Sequence, residues 1–458
     1  MATSRSARGQ MMLEMPVSRV IPRLAVPTII SMLITSIYNM ADTFFVGRIS
    51  TSASGAVGII FSAMSMIQAL AFTFGMGSGA NMSRALGAGN EKEARVFVAM
   101  GFFTAFGAGL VVCLVGNLFT GPLVRLLGAT ETIAPHAQAY ATYIFYAAPF
   151  MMSSLAMNNL LRFQGLALYG MIGMGTGGII NIALDPLFIF VLDLGTAGAA
   201  IATAISQFIS FSLLLFMTNH KSDALSIRLS DFRPTAALYR RMLSNGLPSM
   251  GRQGIASIAS VVLNRVAGSW GDAAIAAMSI VGRCTMFMNS AVIGFGQGFQ
   301  PVCAYCYGAG KYRRVREALN FCIRVSTIFL AAVAIVFFLS ARPVVSFFRD
   351  DPQVIDIGTV ALRCQLITLP LWGLITMCNM FTQSIGLGLR ATLIASARQG
   401  IFLIPSLLIL PRLLGLTGLE LAQPAADLLT FLLAVWMIRS VSRELAGRPD
   451  RGSEKDHA

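Results

Sequence analysis

Residues 94–118 read ARVFVAMGFFTAFGAGLVVCLVGNL. After Arg95 no charged side chain occurs until Arg125. Wound as an α helix at about 1.5 Å per residue, such a run crosses the hydrocarbon core of a bilayer, about 30 Å thick. Runs like it recur along the chain, each about 20 to 26 residues long, which is the length a spanning helix needs. The sequence predicts them at 22–46, 55–80, 94–118, 135–157, 167–192, 197–217, 243–268, 274–300, 316–340, 355–381, 388–411 and 418–438. Long stretches of strict alternation are absent, so a β-barrel does not fit. The fold class is therefore an all-α integral membrane protein of about twelve transmembrane helices. The first run carries Pro22 and Pro27 and lacks a small-residue cleavage site, so it counts as helix one and not as a removed signal peptide.

Composition agrees. Of 458 residues, 55% are hydrophobic and only 12% charged, whereas a soluble domain carries about 25% charged residues to keep its surface wet. The net charge of +14 invites a nucleic-acid reading, but the placement of the basic residues opposes it. Arg48, Arg125, Arg342, Arg349 and Arg412 fall in one set of alternate loops, and Arg252, Arg265, Arg283, Arg324, Arg363 and Arg398 fall inside helices. The remaining Lys and Arg crowd into the other loops, the set holding both termini and the middle linker. By the positive-inside rule both termini are cytoplasmic and the helix count is even. The expected location is the inner (plasma) membrane, with lipid as the surrounding partner and no nucleic acid bound. The seven cysteines sit mostly in apolar runs and read as small buried hydrophobes; the single Cys303-x-x-Cys306 has no second pair to complete a zinc site.

The chain repeats itself at a constant offset without a gap. Pro27 pairs with Pro248, Gly77 with Gly298, Gly87-Ala88-Gly89 with Gly308-Ala309-Gly310, Pro149 with Pro370, Asn158 with Asn379 and Gly165 with Gly386. Near the end the register slips by one, so that Gly195 and Gly198 meet Gly415 and Gly418. Such a series marks an internal duplication. Two six-helix lobes follow, 1–217 and 242–438, joined by a cytoplasmic linker 218–241 (with Asp223, Asp231, Arg233 and Pro234) and followed by a polar tail 439–458. An even-numbered repeat re-enters the membrane in the same sense, giving a pseudo-twofold axis along the membrane normal and a cleft between the lobes.

What is not repeated is where chemistry is expected. Asp42 in helix one maps to Leu263, and Asp185 in helix five maps to Pro405 or Ser406. An intramembrane carboxylate costs about 2.5–3.5 kcal/mol at mid-helix on insertion scales, so it is a functional candidate by default. Tyr38 lies four residues before Asp42 on the same helix face, with Ser31 and Thr35 continuing the stripe, and Asn181 lies four before Asp185. Pro186 has no N–H to give the carbonyl of Ile182, which adds an oxygen beside the carboxylate. Thr203 and Gln207 form a polar stripe on helix six. Helices one, five and six thus predict a pocket of hard oxygen ligands suited to a proton or a small cation such as sodium. Two carboxyls held together there would share and release a proton across a gradient.

These stretches carry a resemblance. Tyr38-Asn39-Met40-Ala41-Asp42-Thr43-Phe44-Phe45-Val46-Gly47, Asn181-Ile182-Ala183-Leu184-Asp185-Pro186, Gly198-Ala199-Ala200-Ile201-Ala202-Thr203, Gly246-Leu247-Pro248-Ser249, Gly294-Phe295-Gly296-Gln297-Gly298-Phe299-Gln300-Pro301 and Tyr307-Gly308-Ala309-Gly310-Lys311 resemble the MATE (multidrug and toxin extrusion) transporters, particularly the prokaryotic DinF-like branch. The resemblance implies a secondary active antiporter that exports amphipathic, mostly cationic organic compounds in exchange for H+ or Na+ by alternating access. It implies no enzyme activity, no cofactor and a monomer. Carried over by position, Asp42, Asn181, Asp185 and Thr203 resemble the coupling-ion site; Tyr38, Tyr140 and Asn158 resemble the lining of the same cavity, which Gln207 joins from the polar stripe. Pro27 resembles the point at which helix one bends, and Pro186 is the second hinge. The sequence departs from the family pattern at Arg162-Phe163-Gln164-Gly165, where the family commonly has Arg-Ala-Glu-Gly or Arg-Ala-Gln-Gly. It also lacks an acidic residue in helix seven, which favours coupling through the first lobe.

Several signals point less sharply. The six intrahelical arginines are expected to snorkel where they lie near helix ends; otherwise they make the second lobe basic. Asp427 in the last helix pairs with one of them or faces the cleft. Neither Gly-Ala-Gly turn has the Walker spacing, so both read as helix-ending turns. The rival functions are a flippase for lipid-linked precursors, favoured by a strongly basic central cavity, and, remotely, an intramembrane aspartyl protease, whose Tyr-Asp and Gly-x-Gly-Asp motifs are absent.

Overall fold

The computed structural model describes residues 2–221 and 225–450; Asp223 of the linker and residues 451–458 of the tail lie outside the described residues. Those described are helical throughout, with no strand among them. The first half contains α1 (Ala2–Glu14), α2 (Val17–Gly47), α3 (Thr51–Gly87), α4 (Glu91–Leu118), α5 (Thr120–Leu126), α6 (Ala134–Phe163), α7 (Ala167–Pro186) and α8 (Gly195–Lys221). The second contains α9 (Ala236–Ala267), α10 (Asp272–Gly308), α11 (Tyr312–Leu339), α12 (Ala341–Phe348), α13 (Pro352–Thr368), α14 (Leu371–Ser384), α15 (Gly388–Ser396), α16 (Leu403–Leu414) and α17 (Leu416–Ala446).

Among the described residues nine helical spans are long and apolar enough to cross a membrane, and α13 with α14 makes a tenth, bent by 56°. Helices α6 and α9 complete the two sets of six without meeting that standard. Their polar residues lower the mean hydropathy, although α9 still exposes Leu247, Ile258 and Val261. Helix α6 packs against α3, α4, α7 and α8 at the centre of its lobe, and α9 packs one half on α3 and turns the other toward a cavity.

The duplication is written in backbone conformation. Gly89 and Gly310 both adopt positive φ, 77° and 74°, as do Gly165 and Gly386, 79° and 92°. Each closes a helix through the same pair of bonds: Asn90 N–H reaches Ala85 O and Lys311 N–H reaches Cys306 O, both five residues back. That is the Schellman ending, and only glycine adopts its left-handed residue without strain.

The structure differs from the sequence reading in three places. Helix α1, ahead of helix one, is anchored where Arg314 Nε donates to Met12 O at 2.9 Å; it is too short and too polar to register as a span. The predicted single helix 355–381 is the bent pair α13–α14, which breaks at Pro370, although the matching Pro149 leaves α6 unbroken. The predicted helix 388–411 is interrupted by a π turn, Ala397–Ile401, and Leu187–Val191 forms another directly after Pro186.

The lobes meet through glycines on the side of the termini. A Cβ on Gly77 of α3 would stand 2.1 Å from Met242 O of α9, and one on Gly246 would stand 2.0 Å from Thr73 O. A Cβ on Gly298 of α10 would stand 2.5 Å from the backbone of Ala25 in α2. Arg84 Nη1 crosses the boundary to Ser384 O at 3.1 Å, and Ser83 Oγ to Pro301 O at 3.3 Å. Backbone on backbone closes this half.

Candidate functional site

In the first lobe the site begins with two successive glycines. Gly178 lets α7 approach α2, since a Cβ there would meet Ile34 at 2.9 Å and Tyr38 at 3.3 Å; Gly177 lets it approach α8, since a Cβ there would meet Ser210 at 2.9 Å. Small residues allow such close helix approach inside a membrane. One turn further along α7, Asn181 is therefore held between α2 and α8. Its Nδ2 donates to Asp185 Oδ1 at 3.1 Å and to Thr203 Oγ1 at 3.3 Å. Tyr140, fully buried on α6, donates its hydroxyl to Asp42 Oδ2 at 3.0 Å. The two aspartates stand on packed helices: Tyr38, four residues before Asp42, meets α7 at Gly178, one turn before Asn181, which bonds Asp185.

The outstanding property is unmet acceptor capacity. Asp42 Oδ1, Asp185 Oδ2, Asn181 Oδ1 and Gln207 Oε1 are all buried without a hydrogen-bond partner among the described residues. No Lys or Arg forms an ion pair with either aspartate among them. Beside this group lies a small cavity of about 10 Å³, walled by Tyr38, Asn181, Thr203, Ser206, Gln207 and Ser210 among others. That volume suits one water-sized occupant. Pro186 ends α7, and the π turn after it closes with Leu192 N–H on Leu187 O at 2.9 Å. Helix α2 runs unbroken through Pro27.

One predicted residue stands elsewhere. Asn158 is about 27 Å along α6 from Tyr140, with its side-chain oxygen against Gly170 of α7. Its duplicate Asn379 makes the matching contact in the second lobe, where Nδ2 donates to Ala391 O at 2.7 Å. Asn158 lines neither cavity, whereas Asn379 also lines the larger one in the second lobe. Conversely, Ser206 and Ser210 were missed. They continue the stripe of Thr203 and Gln207 at helical spacing, the one signal that pointed to them.

The second lobe encloses a larger cavity, about 600 Å³, between α9, α10, α14, α15 and α17. Asp427 is fully buried at its edge and is satisfied: Arg398 Nε donates at 2.8 Å, Gln423 Nε2 at 3.0 Å, Trp372 Nε1 at 2.7 Å and Thr368 Oγ1 at 3.3 Å. The Arg398 guanidinium also lies over the Trp372 ring, 3.6 Å from its centroid. Arg252, Arg283 and Arg398 all line this cavity. The snorkelling expected of the intrahelical arginines does not describe these three.

A repeat of two six-helix lobes with a carboxylate site in the first is matched by the MatE family model over 27–187 and again over 248–408, at the separation of Pro27 from Pro248. The chain belongs to the MatE family. Relatives of this MatE protein include the multidrug export protein MepA of Staphylococcus haemolyticus, 26% identical over 433 residues, covering 94% of this chain and 95% of that one. MepA of Staphylococcus aureus is 28% identical over 426 residues, covering 92% and 94%. Among solved structures, the outward-facing conformation of a multidrug resistance MATE family transporter of the MOP superfamily superposes with a TM-score of 0.90 at 26% identity, covering 96% of this chain and 98% of that one. The MatE protein is thus a multi-pass membrane protein of that family's two-lobe architecture.

Proposed function

We propose that this protein is a secondary active efflux antiporter that exports amphipathic, mostly cationic organic compounds in exchange for H+ or Na+. It works as a monomer in the inner (plasma) membrane, with both termini cytoplasmic. The carrying observation is the pair Asp42 and Asp185: buried, on the packed helices α2 and α7, and each with a carboxylate oxygen that no described residue satisfies. A cation arriving there completes the site; a cation leaving restores its electrostatic cost. Asn181 links the site to α8 and Tyr140 links it to α6, so binding is felt by four helices. Rocking of the lobes about the glycine-closed half would expose the cleft to each side in turn, with Pro27 and Pro186 as the points where backbone hydrogen bonds are already missing. The multidrug names of the relatives support the cargo class.

The test is dye transport in vesicles under separately imposed proton and sodium gradients, with Asp42→Asn and Asp185→Asn run alongside. Gradient-driven transport by the wild type, lost in both variants, is the expected result, and the effective gradient names the ion. Transport that survives in both variants would remove the site from the mechanism.

A further inference from the structure

The second-lobe cavity has a chemistry that cation export does not use. Three arginines line it and, among the described residues, no Asp or Glu does. The charge of Asp427 is taken up by Arg398 from behind the wall. Arg252 and Arg283 have no carboxylate within ion-pair distance among the described residues. Arg252 makes one side-chain bond, Nη1 to Asn379 Oδ1 at 3.3 Å, to a neutral amide. Neither arginine lies at a helix end: Arg252, half-buried, is about 24 Å from the start of α9, and Arg283, exposed where the cavity opens, is about 16 Å from the start of α10, at 1.5 Å per residue. A guanidinium held at that depth is expensive unless an anion or water meets it. The rest of the wall is mixed. Asn264, Asn289 and Gln399 supply neutral polar groups, while Met278, Trp372 and Leu407 supply apolar surface. The volume of about 600 Å³ falls within the range of about 300–1,000 Å³ typical of small-molecule sites.

We infer that this cavity is a binding site for an amphiphilic anion, a phosphate or carboxylate head on an apolar body, with Arg252 and Arg283 holding the head and the methionine- and tryptophan-lined wall holding the body. Arginine suits the head because its planar fork meets two oxygens at once. This site is separate from the aspartate pair and does not rest on the export reading; binding is measured without any gradient. A lipid headgroup and a water-soluble amphiphile share this chemistry.

The experiment uses the whole protein in nanodiscs of phosphatidylcholine and measures binding of octyl phosphate, with octyl trimethylammonium and octyl glucoside as the cationic and neutral probes. Octyl phosphate is expected to bind and to raise the unfolding temperature, and the other two to do neither to the same degree. In Arg252→Gln/Arg283→Gln its affinity should fall at least about tenfold, the scale of one charged hydrogen bond. Asp42→Asn should bind octyl phosphate as the wild type does. Arg398 stays untouched, since its loss would strand Asp427. Phosphatidylglycerol added to the discs separates the sources: competition with octyl phosphate assigns the site to lipid heads, and no competition assigns it to soluble amphiphiles. Octyl phosphate binding no tighter than octyl glucoside, or equally tight in the folded double variant, would overturn the inference.

Discussion

Asp427 and Asp185 are both fully enclosed by the protein, yet Asp427 receives four donors, one of them a guanidinium, and Asp185 receives a single amide. Asp42 resembles Asp185, with one phenol and one bare oxygen. The lobes descend from one duplicated sequence, so the contrast is not a matter of architecture. It lies in what surrounds each carboxylate. A charge compensated by the chain itself is fixed in place, because removing either partner leaves the other stranded. A charge left uncompensated must find its counter-charge from outside. The second lobe uses its aspartate to position an arginine; the first leaves each aspartate with an unpaired oxygen, which is what the proposed coupling to a mobile cation requires.

Arg398→Met tests the first half of this contrast and carries the largest expected effect. With Asp427 left buried and unpaired, stability should fall by about 3–5 kcal/mol, seen as a large drop in unfolding temperature in detergent. Arg398→Met with Asp427→Leu, which removes both charges, should recover most of that loss, since a buried pair replaced by apolar groups is often neutral. Asp185→Asn, with no cation to strand, should unfold close to the wild-type temperature even while transport is lost. If Asp185→Asn destabilises as strongly as Arg398→Met, the two carboxylates are held alike and the contrast fails.

A smaller effect is expected from removing one donor at each centre. Tyr140→Phe takes from Asp42 the one side-chain hydrogen bond that the structure gives it. A bond to a charged group is worth about 1.5–3 kcal/mol, so gradient-driven transport should slow by about tenfold or more. Thr368→Val leaves Asp427 with three donors, and should change transport and stability by no more than about 1 kcal/mol in free-energy terms. Equal effects at the two positions would mean that Asp42 has partners beyond Tyr140.

The reach of the sequence into this molecule follows the same division between repeated and unrepeated residues. Spanning length and the run of duplicated prolines and glycines made the two six-helix sets legible, because bilayer thickness and left-handed helix endings constrain local sequence directly. The proline at 370 was visible but its 56° break was not, since the matching Pro149 sits in an unbroken helix; neighbours decide which proline breaks a helix. In the site, Asn181, Asp185, Thr203 and Tyr38 came together as helical spacing suggested, and Asp42 is held beside them by Tyr140, which spacing did not show. For Asp427, pairing with an intrahelical arginine was one of two expectations and Gln423 stands one helical turn before it, but Thr368 and Trp372 come from other helices and only packing brings them in. Asn158 stands apart from the aspartates, and the sequence held a signal of that difference: it is repeated, as Asn379, while the aspartates are not.

That last point yields the smallest expected effect. Asn158 faces Gly170, and Asn379 bonds the backbone at Ala391, the duplicate of Gly170. If both serve the scaffold, Asn379→Ala should lower stability by about 1 kcal/mol, the worth of an ordinary buried hydrogen bond, and Asn158→Ala by no more than that. Asn379→Ala should cost slightly more, because it also deprives Arg252 of its amide partner. Neither variant should change which ion drives transport or how steeply transport depends on that ion's gradient. Unfolding temperatures read the first expectation and vesicle transport at graded ion concentrations reads the second. A loss of ion dependence in Asn158→Ala alone would extend the coupling site some 27 Å along α6. It would also count against the proposal that the unduplicated aspartates alone carry the coupling.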